Sequence, residues 1–254
     1  MNLSTIKNLK INYWDSLTSR FDTYKTGNSV HPDAAVNIHV GWPTLFFLIQ
    51  HQKDFLAKKS LDIMDFGCGA GHFAKELIKK GHKLTCVDRS VKMLDIAKKH
   101  LPKNAKIYNE DHTSPIFIEK DIAGSFDIVT SVHSLEWIKD IDKALNNLAK
   151  AVRKNGIVIL VLFPKKHIVD SIRIKDLFED FDSDTNPTEG IANFDGVKVP
   201  VYIREAEYFD RHFKDLGFEK VIEYYPEYPA DFFKKYKWTG SKEPEMMILS
   251  YRKK

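Results

Sequence analysis

The chain has 254 residues, of which 43% are hydrophobic and 12% aromatic, a composition typical of a globular protein and not of a disordered one. This length accommodates one α/β domain with a sizeable core, with or without a cap. The 39 basic and 35 acidic residues give a net charge of +4, and the lysine pairs are spread along the chain. A nucleic-acid-binding protein usually gathers such charge into one stripe, so this class is disfavoured.

The N-terminus has no apolar signal-peptide core, and no apolar run is long enough to span a bilayer. Both cysteines, Cys68 and Cys86, lie within one short part of the chain, so a disulfide framework is implausible. These features predict a cytoplasmic protein without a membrane segment.

The first 57 residues are predicted to form a helical cap. Aromatic residues such as Tyr13, Trp14 and Phe21 are interleaved with polar ones, which is typical of a helix that covers a core. Gly41-Trp42-Pro43 then introduces an apolar helix from Pro43 to Phe55, because proline is favoured in a first helical turn.

The central motif begins with an apolar run of strand length, Ile63 to Phe66, followed by alternate glycines in Gly67-Cys68-Gly69-Ala70-Gly71. A helix-like segment from His72 to Lys80 comes next. This order places bare backbone N–H groups and a helix N-terminus at the carboxyl edge of a sheet, where small polar ligands bind. The next strand, Lys83 to Asp88, ends on a carboxylate that can accept hydrogen bonds from two ribose hydroxyls.

The β-α alternation continues beyond this motif. Ser90 is predicted to cap a helix that runs to His100. Asp140 is predicted to cap a later helix that ends at Asn155-Gly156. We predict a third strand over Ala105–Asn109, a fourth over Phe126–Ser131 and a fifth over Ile157–Phe163. The fifth is a continuous apolar run, typical of a central parallel strand that is buried on both faces.

After Pro164 the alternation breaks, and residues 165–203 are too long for an ordinary connection, so we predict an inserted cap. Its acidic run, Glu179 to Asp184, lacks the spacing of calcium ligands and is interpreted as a solvated loop. Regular structure resumes with a helix from Glu205 to Leu216, a sixth strand from Gly217-Phe218 and a final strand from Met246 to Tyr251. The aromatic tail segment between these strands, which includes Trp238, either lines a pocket or packs around the strands.

Asp65-Phe66-Gly67-Cys68-Gly69-Ala70-Gly71, followed by Val87-Asp88, resembles the first two signature motifs of the class I S-adenosylmethionine-dependent methyltransferases. A dinucleotide-binding fingerprint would instead place its last glycine at position 72, which is His72 here. The resemblance covers residues 58–163 well and 204–252 in outline. It implies an α/β, Rossmann-like fold with a seven-stranded, mostly parallel sheet flanked by helices, whose last strand is antiparallel.

The resemblance also implies a single methyltransferase domain over residues 1–254. Its expected parts are an N-terminal helical lid (1–57), a cofactor-binding half (58–164), an inserted cap (165–203) and a C-terminal helix with strands (204–254).

The cofactor implied by the resemblance is S-adenosyl-L-methionine, released as S-adenosyl-L-homocysteine. Tyr13 and Arg20 belong to the lid segment, which in the family folds over the cofactor. Glu110 competes with Asp111 for the position that faces the adenine amino group. The implied cofactor-binding residues are Asp65, Gly67, Cys68, Gly69, Asp88, Arg89, Asp111, His112, Ser131, Val132, Tyr13 and Arg20.

The segment after the fourth strand is expected to face the transferring methyl group. His133 is a candidate general base, because histidine exchanges its proton near neutral pH, and Glu136 is a second candidate. A structural or substrate-shaping role for His133 is the alternative, since the sulfonium is a strong electrophile and alignment alone can support the reaction.

The function predicted from these features is methyl transfer to an O, N or C nucleophile of a small molecule by a monomer or homodimer. The pocket is expected to be built by the lid, the Val30 to Trp42 connection and the insert. Ser131-Val132-His133-Ser134 differs from the Asn/Asp-Pro-Pro-Tyr/Phe sequence of nucleic-acid amino methyltransferases, and no residue cluster has metal-ligand spacing. The alternatives are an RNA methyltransferase, a non-catalytic S-adenosylmethionine-binding or partner-binding protein, and a nicotinamide-dependent reductase.

Overall fold

The computed structural model describes residues 12–21, 24, 30–114, 122–182, 184–185 and 187–254. Most of the predicted lid before residue 30 lies outside these described residues, as do Ser183 of the acidic run and Asn186 after it.

A seven-stranded sheet forms the centre of the molecule, in the spatial order β3-β2-β1-β4-β5-β10-β9. Neighbours from β3 to β5 pair in parallel, whereas β10 pairs antiparallel with both β5 and β9. This confirms the predicted sheet and its antiparallel last strand. Its strands are β1 (Asp62–Phe66), β2 (Lys83–Asp88), β3 (Lys106–Asn109), β4 (Phe126–Val132), β5 (Val152–Leu162), β9 (Phe218–Tyr224) and β10 (Met247–Lys253).

Helices cover both faces of this sheet because the central strands are apolar on both sides. Along β5, Val158, Leu160 and Leu162 face one hydrophobic cluster, while Ile157, Ile159 and Val161 face the other. The helices are α1 (Tyr13–Ser16), α2 (Pro32–Val36), α3 (Trp42–Phe55), α4 (His72–Lys79), α5 (Val91–His100), α6 (Asp142–Ala151), α7 (Lys165–Arg173), α8 (Ala206–Asp215) and α9 (Phe232–Lys235). A π-helix, Asn37–Gly41, joins α2 to α3, and a 3₁₀ helix spans Leu135–Trp137.

The insert after β5 consists of α7 and a separate three-stranded antiparallel sheet, which is formed by β6 (Phe178–Asp182), β7 (Thr188–Phe194) and β8 (Val197–Ile203). The prediction of a solvated acidic loop from Glu179 was therefore wrong over β6. Phe178 is buried against the aromatic cluster under the insert, and β6 pairs with β7, while Glu179 forms an outward ion pair with Lys198.

Two further predicted boundaries were wrong. Asp140 does not cap α6, because the buried Ile141 occupies the cap position without a side-chain hydrogen bond. That helix ends at Ala151 and not at Asn155-Gly156, since the chain enters β5 at Val152. The register then shifts between Phe126 and Ile128 of β4, which pair with Val152 and Ile157, so the intervening residues bulge.

The cap of α5 is as predicted: the Ser90 hydroxyl accepts a hydrogen bond from the Met93 N–H at 3.1 Å. No helix in the described part of the chain is both long and apolar enough to cross a membrane.

Candidate functional site

A cavity of about 530 Å³ lies at the edge of the main sheet where β1, β2 and β4 end. We call one part the cofactor end; it includes Asp65, Gly67, Cys68, Gly69, Asp88, Arg89, His112 and Val132. We call the other part the acceptor end; it includes Trp14, Arg20, Asp33, Asn37, His133, Phe163, Trp238 and Glu245. Tyr13, Asp111, Ser131 and Glu136 were also predicted as site residues, but they lie behind or beside this lining.

The glycine turn is held against β2. Gly67 and Gly69 have φ angles of +88° and +53°, which L-residues with a side chain rarely adopt. The sequence predicts bare N–H groups in this turn. Instead, the N–H groups of Gly67 and Cys68 both donate to the Val87 carbonyl, at 2.8 and 3.0 Å. These hydrogen bonds fix the turn relative to the tip of β2.

Asp88 sits at that tip and completes the attachment of the turn. One carboxylate oxygen accepts from the Gly69 N–H and the other from the Ser90 N–H, both at 2.8 Å. Burial raises the pKa of Asp88 above its ordinary value, and the two backbone hydrogen bonds oppose that shift. Each oxygen has a second lone pair, so the carboxylate can still accept hydrogen bonds from a ligand in the cavity.

Asp65 lies deeper, at the end of β1. Its carboxyl accepts a hydrogen bond from the Thr130 hydroxyl at 3.0 Å. Burial raises the pKa of Asp65 to about 7, the Thr130 hydrogen bond opposes the rise, and the charge of Asp88 adds to it. A cationic ligand group at this carboxyl would favour its ionised form.

His112, and neither of the two competing acids, lines the cavity after β3. Its Nε2 lies 3.2 Å from the Ser134 hydroxyl, and burial lowers the pKa of the ring to about 4, so the ring is neutral near pH 7. The Asp111 carboxylate turns back to the Thr113 N–H and lies 3.9 Å from Arg89, while Glu110 accepts from Ser114. The family resemblance placed an acid opposite the adenine, and His112 was predicted as a cofactor-binding residue beside it.

Ser131 and Ser134 form a polar link beneath His112. Their hydroxyls lie 2.6 Å apart, and the Ser134 hydroxyl also donates to the Phe66 carbonyl at 3.1 Å. A Cβ on Gly67 would meet the Ser134 Cβ at 2.5 Å, so this close approach needs glycine. The link therefore ties β1, β4 and the residue after β3 into one unit.

His133 and Glu136, which the sequence singles out, are brought together. His133 Nδ1 lies 2.9 Å from Glu136 Oε1, and Glu136 is 2% exposed. The His133 carbonyl accepts from Trp137 Nε1 at 2.7 Å, and its ring packs on Phe163 with centroids 4.4 Å apart. His133 has a φ of +45°, which is uncommon for a residue with a side chain and typical of functional positions.

The other ring nitrogen of His133 is different. Nε2 is buried and has no hydrogen-bond partner among the described residues, while the residue lines the cavity. The arrangement therefore fixes the direction of the imidazole and leaves one of its nitrogens without a protein partner in the described part of the chain.

Aromatic side chains form the wall of the acceptor end. Trp14 of the lid contacts Trp137 edge to face at 5.1 Å, and Phe194 of the insert lies 5.9 Å from Trp137. Tyr13 packs against the same cluster. Side chains before residue 22, in the insert and in the segment after β4 thus share one apolar core.

Arg20 joins the lid to two other segments. Its guanidinium forms ion pairs with Asp33 of α2 at 2.8 Å and with Asp195 of the β7–β8 turn at 2.5 Å. The guanidinium also lies over the Phe194 ring at 5.3 Å. Arg20 lines the cavity and is held by these carboxylates, so it acts as a clamp on the cavity wall.

Asp33, Asn37 and Glu245 line the acceptor end and were not predicted from the sequence. Glu245 is 7% exposed and precedes β10. The prediction that the last strand runs antiparallel carries a usable signal, because the start of such a strand lies at the carboxyl edge of its parallel neighbours. Asp33 and Asn37 carry no comparable signal in the sequence.

The described residues contain no group of three His, Cys, Asp or Glu side chains placed to hold a metal ion. Cys68 and Cys86 are free thiols.

Comparison with known proteins identifies the central part of the chain. Residues 64–160 match the family described as a methyltransferase domain. The ubiquinone biosynthesis O-methyltransferase of Pelagibacter ubique is 27% identical over 107 residues, which cover 42% of this chain and 44% of that protein. The protein of the same name from Aromatoleum aromaticum is 32% identical over 94 residues, covering 37% and 40%. The chain spans about half the length of the curated relatives it matches.

Solved structures extend the likeness over nearly the whole chain at the level of the fold. A protein from Pyrococcus horikoshii aligns with a TM-score of 0.68 at 14% identity and covers 96% of this chain and 99% of its own. An S-adenosylmethionine-dependent methyltransferase from Mesorhizobium loti aligns with a TM-score of 0.59 at 17% identity, covering 76% and 91%. Residues 64–160 therefore match a methyltransferase domain, and the chain shares its fold with these solved structures.

Proposed function

We propose that this protein transfers the methyl group of S-adenosylmethionine to an O, N or C nucleophile of a small molecule and releases S-adenosylhomocysteine. The observation that carries the proposal is that one cavity is lined at one end by Asp88 with the glycine turn and at the other end by His133, which pairs with Glu136. Asp88 is locked to the glycine turn at the cofactor end, and the oriented His133–Glu136 pair lies at the acceptor end.

The cofactor end fits S-adenosylmethionine in its chemistry. The Asp88 carboxylate at the tip of β2 suits a ribose diol, and the buried Asp65 carboxyl suits the ammonium of the methionine portion. A Cβ added at Gly69 would meet no protein atom within 4 Å, and Gly69 lines the cavity, so the turn leaves a cradle that a side chain would fill. Bound S-adenosylmethionine supplies a methyl group on a positively charged sulfur, which is a strong electrophile.

We propose that His133 Nε2 is the general base. The Glu136 carboxylate accepts from Nδ1–H and so fixes the tautomer in which Nε2 has a free lone pair. Nε2 would take the proton that the nucleophile loses as the nucleophile bonds to the methyl carbon and the carbon–sulfur bond breaks, with its electron pair left on the sulfur of S-adenosylhomocysteine. Glu136 then stabilises the charged imidazolium, so we propose a positioning role for Glu136, not the role of base.

The acceptor end supports a small acceptor and not a macromolecule. Its wall joins the lid, the insert and the segment after β4, and Arg20 ties the lid to α2 and to the insert. Such a cover aligns a small nucleophile with the methyl group and excludes water. We include in the proposal a cytoplasmic location, in line with two free thiols, and a monomer or homodimer.

The test is calorimetric titration of the purified protein with S-adenosylhomocysteine, with NADH as the control ligand. We expect saturable binding of S-adenosylhomocysteine alone. Binding of NADH alone would favour a reductase, and binding of neither would contradict the proposal. A screen of small-molecule acceptors with isotopically labelled S-adenosylmethionine then separates an enzyme, which labels a product, from a protein that only binds the cofactor.

A further inference from the structure

Two hydrogen-bond acceptors, Glu245 and Asn37, line the acceptor end of the cavity. The Glu245 side chain is 7% exposed and lines the cavity. Its Oε2 accepts a hydrogen bond from the Tyr228 hydroxyl at 3.3 Å, and no described residue donates to Oε1. No described lysine, arginine or histidine forms an ion pair with it.

Asn37 provides an independent observation. Its amide nitrogen donates to the Asp33 carbonyl at 3.3 Å, while its Oδ1 is buried and has no hydrogen-bond partner among the described residues. Asn37 begins the π-helix that joins α2 to α3, and π-helical turns occur frequently at functional sites. A buried acceptor without a donor is costly, so this oxygen is suited to a ligand that brings a donor.

The charges around this pair favour a cation. Asp33 is held by Arg20 and His31, and Asp176 is an exposed carboxylate of the lining. The two lysines that also line the cavity, Lys175 and Lys237, are exposed at its rim. Burial, reinforced by the negative charge of Asp33, raises the pKa of Glu245 well above its ordinary value, and a bound cation would offset that effect.

Aromatic rings complete the environment. Tyr228, which donates to Glu245, packs on Trp238 with ring centroids 5.8 Å apart, and Trp238 lines the cavity. Carboxylates together with an aromatic wall are a common setting for ammonium groups.

Glu245 and His133 lie at different places along the sheet edge, so binding of the acceptor and removal of its proton can occur at different groups. His133 follows β4 and Glu245 precedes β10, and β5 lies between these strands. Two strand spacings separate the main chains at these positions by about 10 Å, so we expect a group bound at Glu245 and a group at His133 to be different parts of one acceptor.

From these contacts we propose that Glu245 and Asn37 bind a protonated amine of the methyl acceptor, so that the acceptor carries an ammonium group separate from its nucleophile. This inference rests on the proposed function, because it names the class of substrate for the same cavity. The amine acts as an anchor at one end, and the nucleophile is then presented to His133 at the other.

The test uses three probes that share a phenol and differ in one terminal group: tyramine (ammonium), tyrosol (hydroxyl) and 4-hydroxyphenylacetate (carboxylate). Each is titrated by calorimetry into the protein saturated with S-adenosylhomocysteine. We expect tyramine to bind with a dissociation constant at least about tenfold below that of tyrosol, as for a hydrogen bond to a charged group, and the carboxylate to bind weakest. Equal affinities, a preference for the carboxylate, or no binding of tyramine would overturn the proposal.

Two variants locate the effect. Glu245→Gln is expected to abolish the preference for tyramine over tyrosol, whereas the matched control Glu243→Gln is expected to retain it, because Glu243 pairs with Lys166 at 2.7 Å outside the cavity. A preference that survives in Glu245→Gln would also overturn the proposal.

If that variant does not fold, the affinities of the three probes for the unaltered protein still decide whether the acceptor site prefers an amine. If the unaltered protein does not bind S-adenosylhomocysteine, the proposed function is contradicted. If it binds S-adenosylhomocysteine but does not prefer tyramine to tyrosol, only this inference is contradicted.

Discussion

The cofactor end of the cavity takes its side chains mainly from residues 65–112, whereas the acceptor end takes Asp33 from α2, His133 from the segment after β4 and Glu245 from the start of β10. Main-chain hydrogen bonds to Val87 and Asp88 hold the first in place. Side-chain packing among the lid, the insert and the segment after β4 holds the second. The cofactor end is therefore formed mainly by residues close together in the sequence, whereas the acceptor end depends on contacts between distant segments.

The largest expected effect separates the two ends by function. His133→Ala should lower turnover by roughly 100- to 10,000-fold, because it removes the proposed base, and should leave S-adenosylhomocysteine affinity unchanged. The measurement is single-turnover kinetics on an acceptor found by screening, with calorimetry for the cofactor product. His51→Ala, on the exposed side of α3, is the control. Full turnover in His133→Ala would leave catalysis to alignment alone.

Glu136→Gln refines that prediction. The amide keeps a hydrogen bond to Nδ1 but not the charge that stabilises the imidazolium, so we expect a smaller loss of kcat than in His133→Ala, with KM unchanged. A rise in KM without a change in kcat would assign Glu136 to acceptor binding.

The cofactor end should also show its own pH dependence. Burial lowers the pKa of His112 to about 4, so the unfolded chain binds a proton more readily, and stability from this residue is lost as pH falls from about 6.5 towards 4. Burial raises the pKa of Asp65 to about 7, so stability from this residue is lost as pH rises from about 3.8 through 7. The two slopes oppose each other in the unaltered protein.

Urea unfolding between pH 4 and 8 can separate these slopes. Relative to the unaltered protein, His112→Gln should gain on the order of 3 kcal/mol as pH falls to 4, and Asp65→Asn should lose a similar amount over the same change. Parallel curves for all three proteins would mean that neither group changes its titration on folding.

Asp88→Ala should weaken S-adenosylhomocysteine binding at least tenfold, since a hydrogen bond to a charged group contributes about 1.5–3 kcal/mol. Calorimetry measures the change, and Asp62→Ala at the opposite end of β1 serves as the control. Unchanged affinity in Asp88→Ala would mean that the tip of β2 does not bind the cofactor.

The smallest expected effect concerns the shape of the glycine turn. Gly81→Ala, at a φ of +86° with no atom within 4 Å of the new Cβ, should cost about 1 kcal/mol for the left-handed backbone alone. Gly67→Ala, at a φ of +88°, adds the overlap with Ser134 and should cost at least about 1 kcal/mol more. Equal unfolding free energies of the two variants would mean that Ser134 moves aside freely.

The glycine turn and the acid at the tip of β2 could be predicted from residues close together in the chain. The seven-stranded sheet and its antiparallel last strand were predicted from the family resemblance, since β10 pairs with β5, which is distant in the chain. Errors arose where packing overrode a local signal. Burial of Phe178 places the start of the acidic run in a strand, and the buried Ile141, not Asp140, occupies the N-cap position of α6.

By itself, then, the sequence determined the fold class, the order of elements and the segment that surrounds the cofactor end, since hydrophobic periodicity and glycine spacing are read within a few residues. Only the tertiary structure decided that His133 is oriented by Glu136, that His112 and not Asp111 lines the cavity, and that Asn37 and Glu245 line the same cavity. The physical reason is that these contacts join side chains from separate elements, whose distances are set by how the sheet, lid and insert pack together.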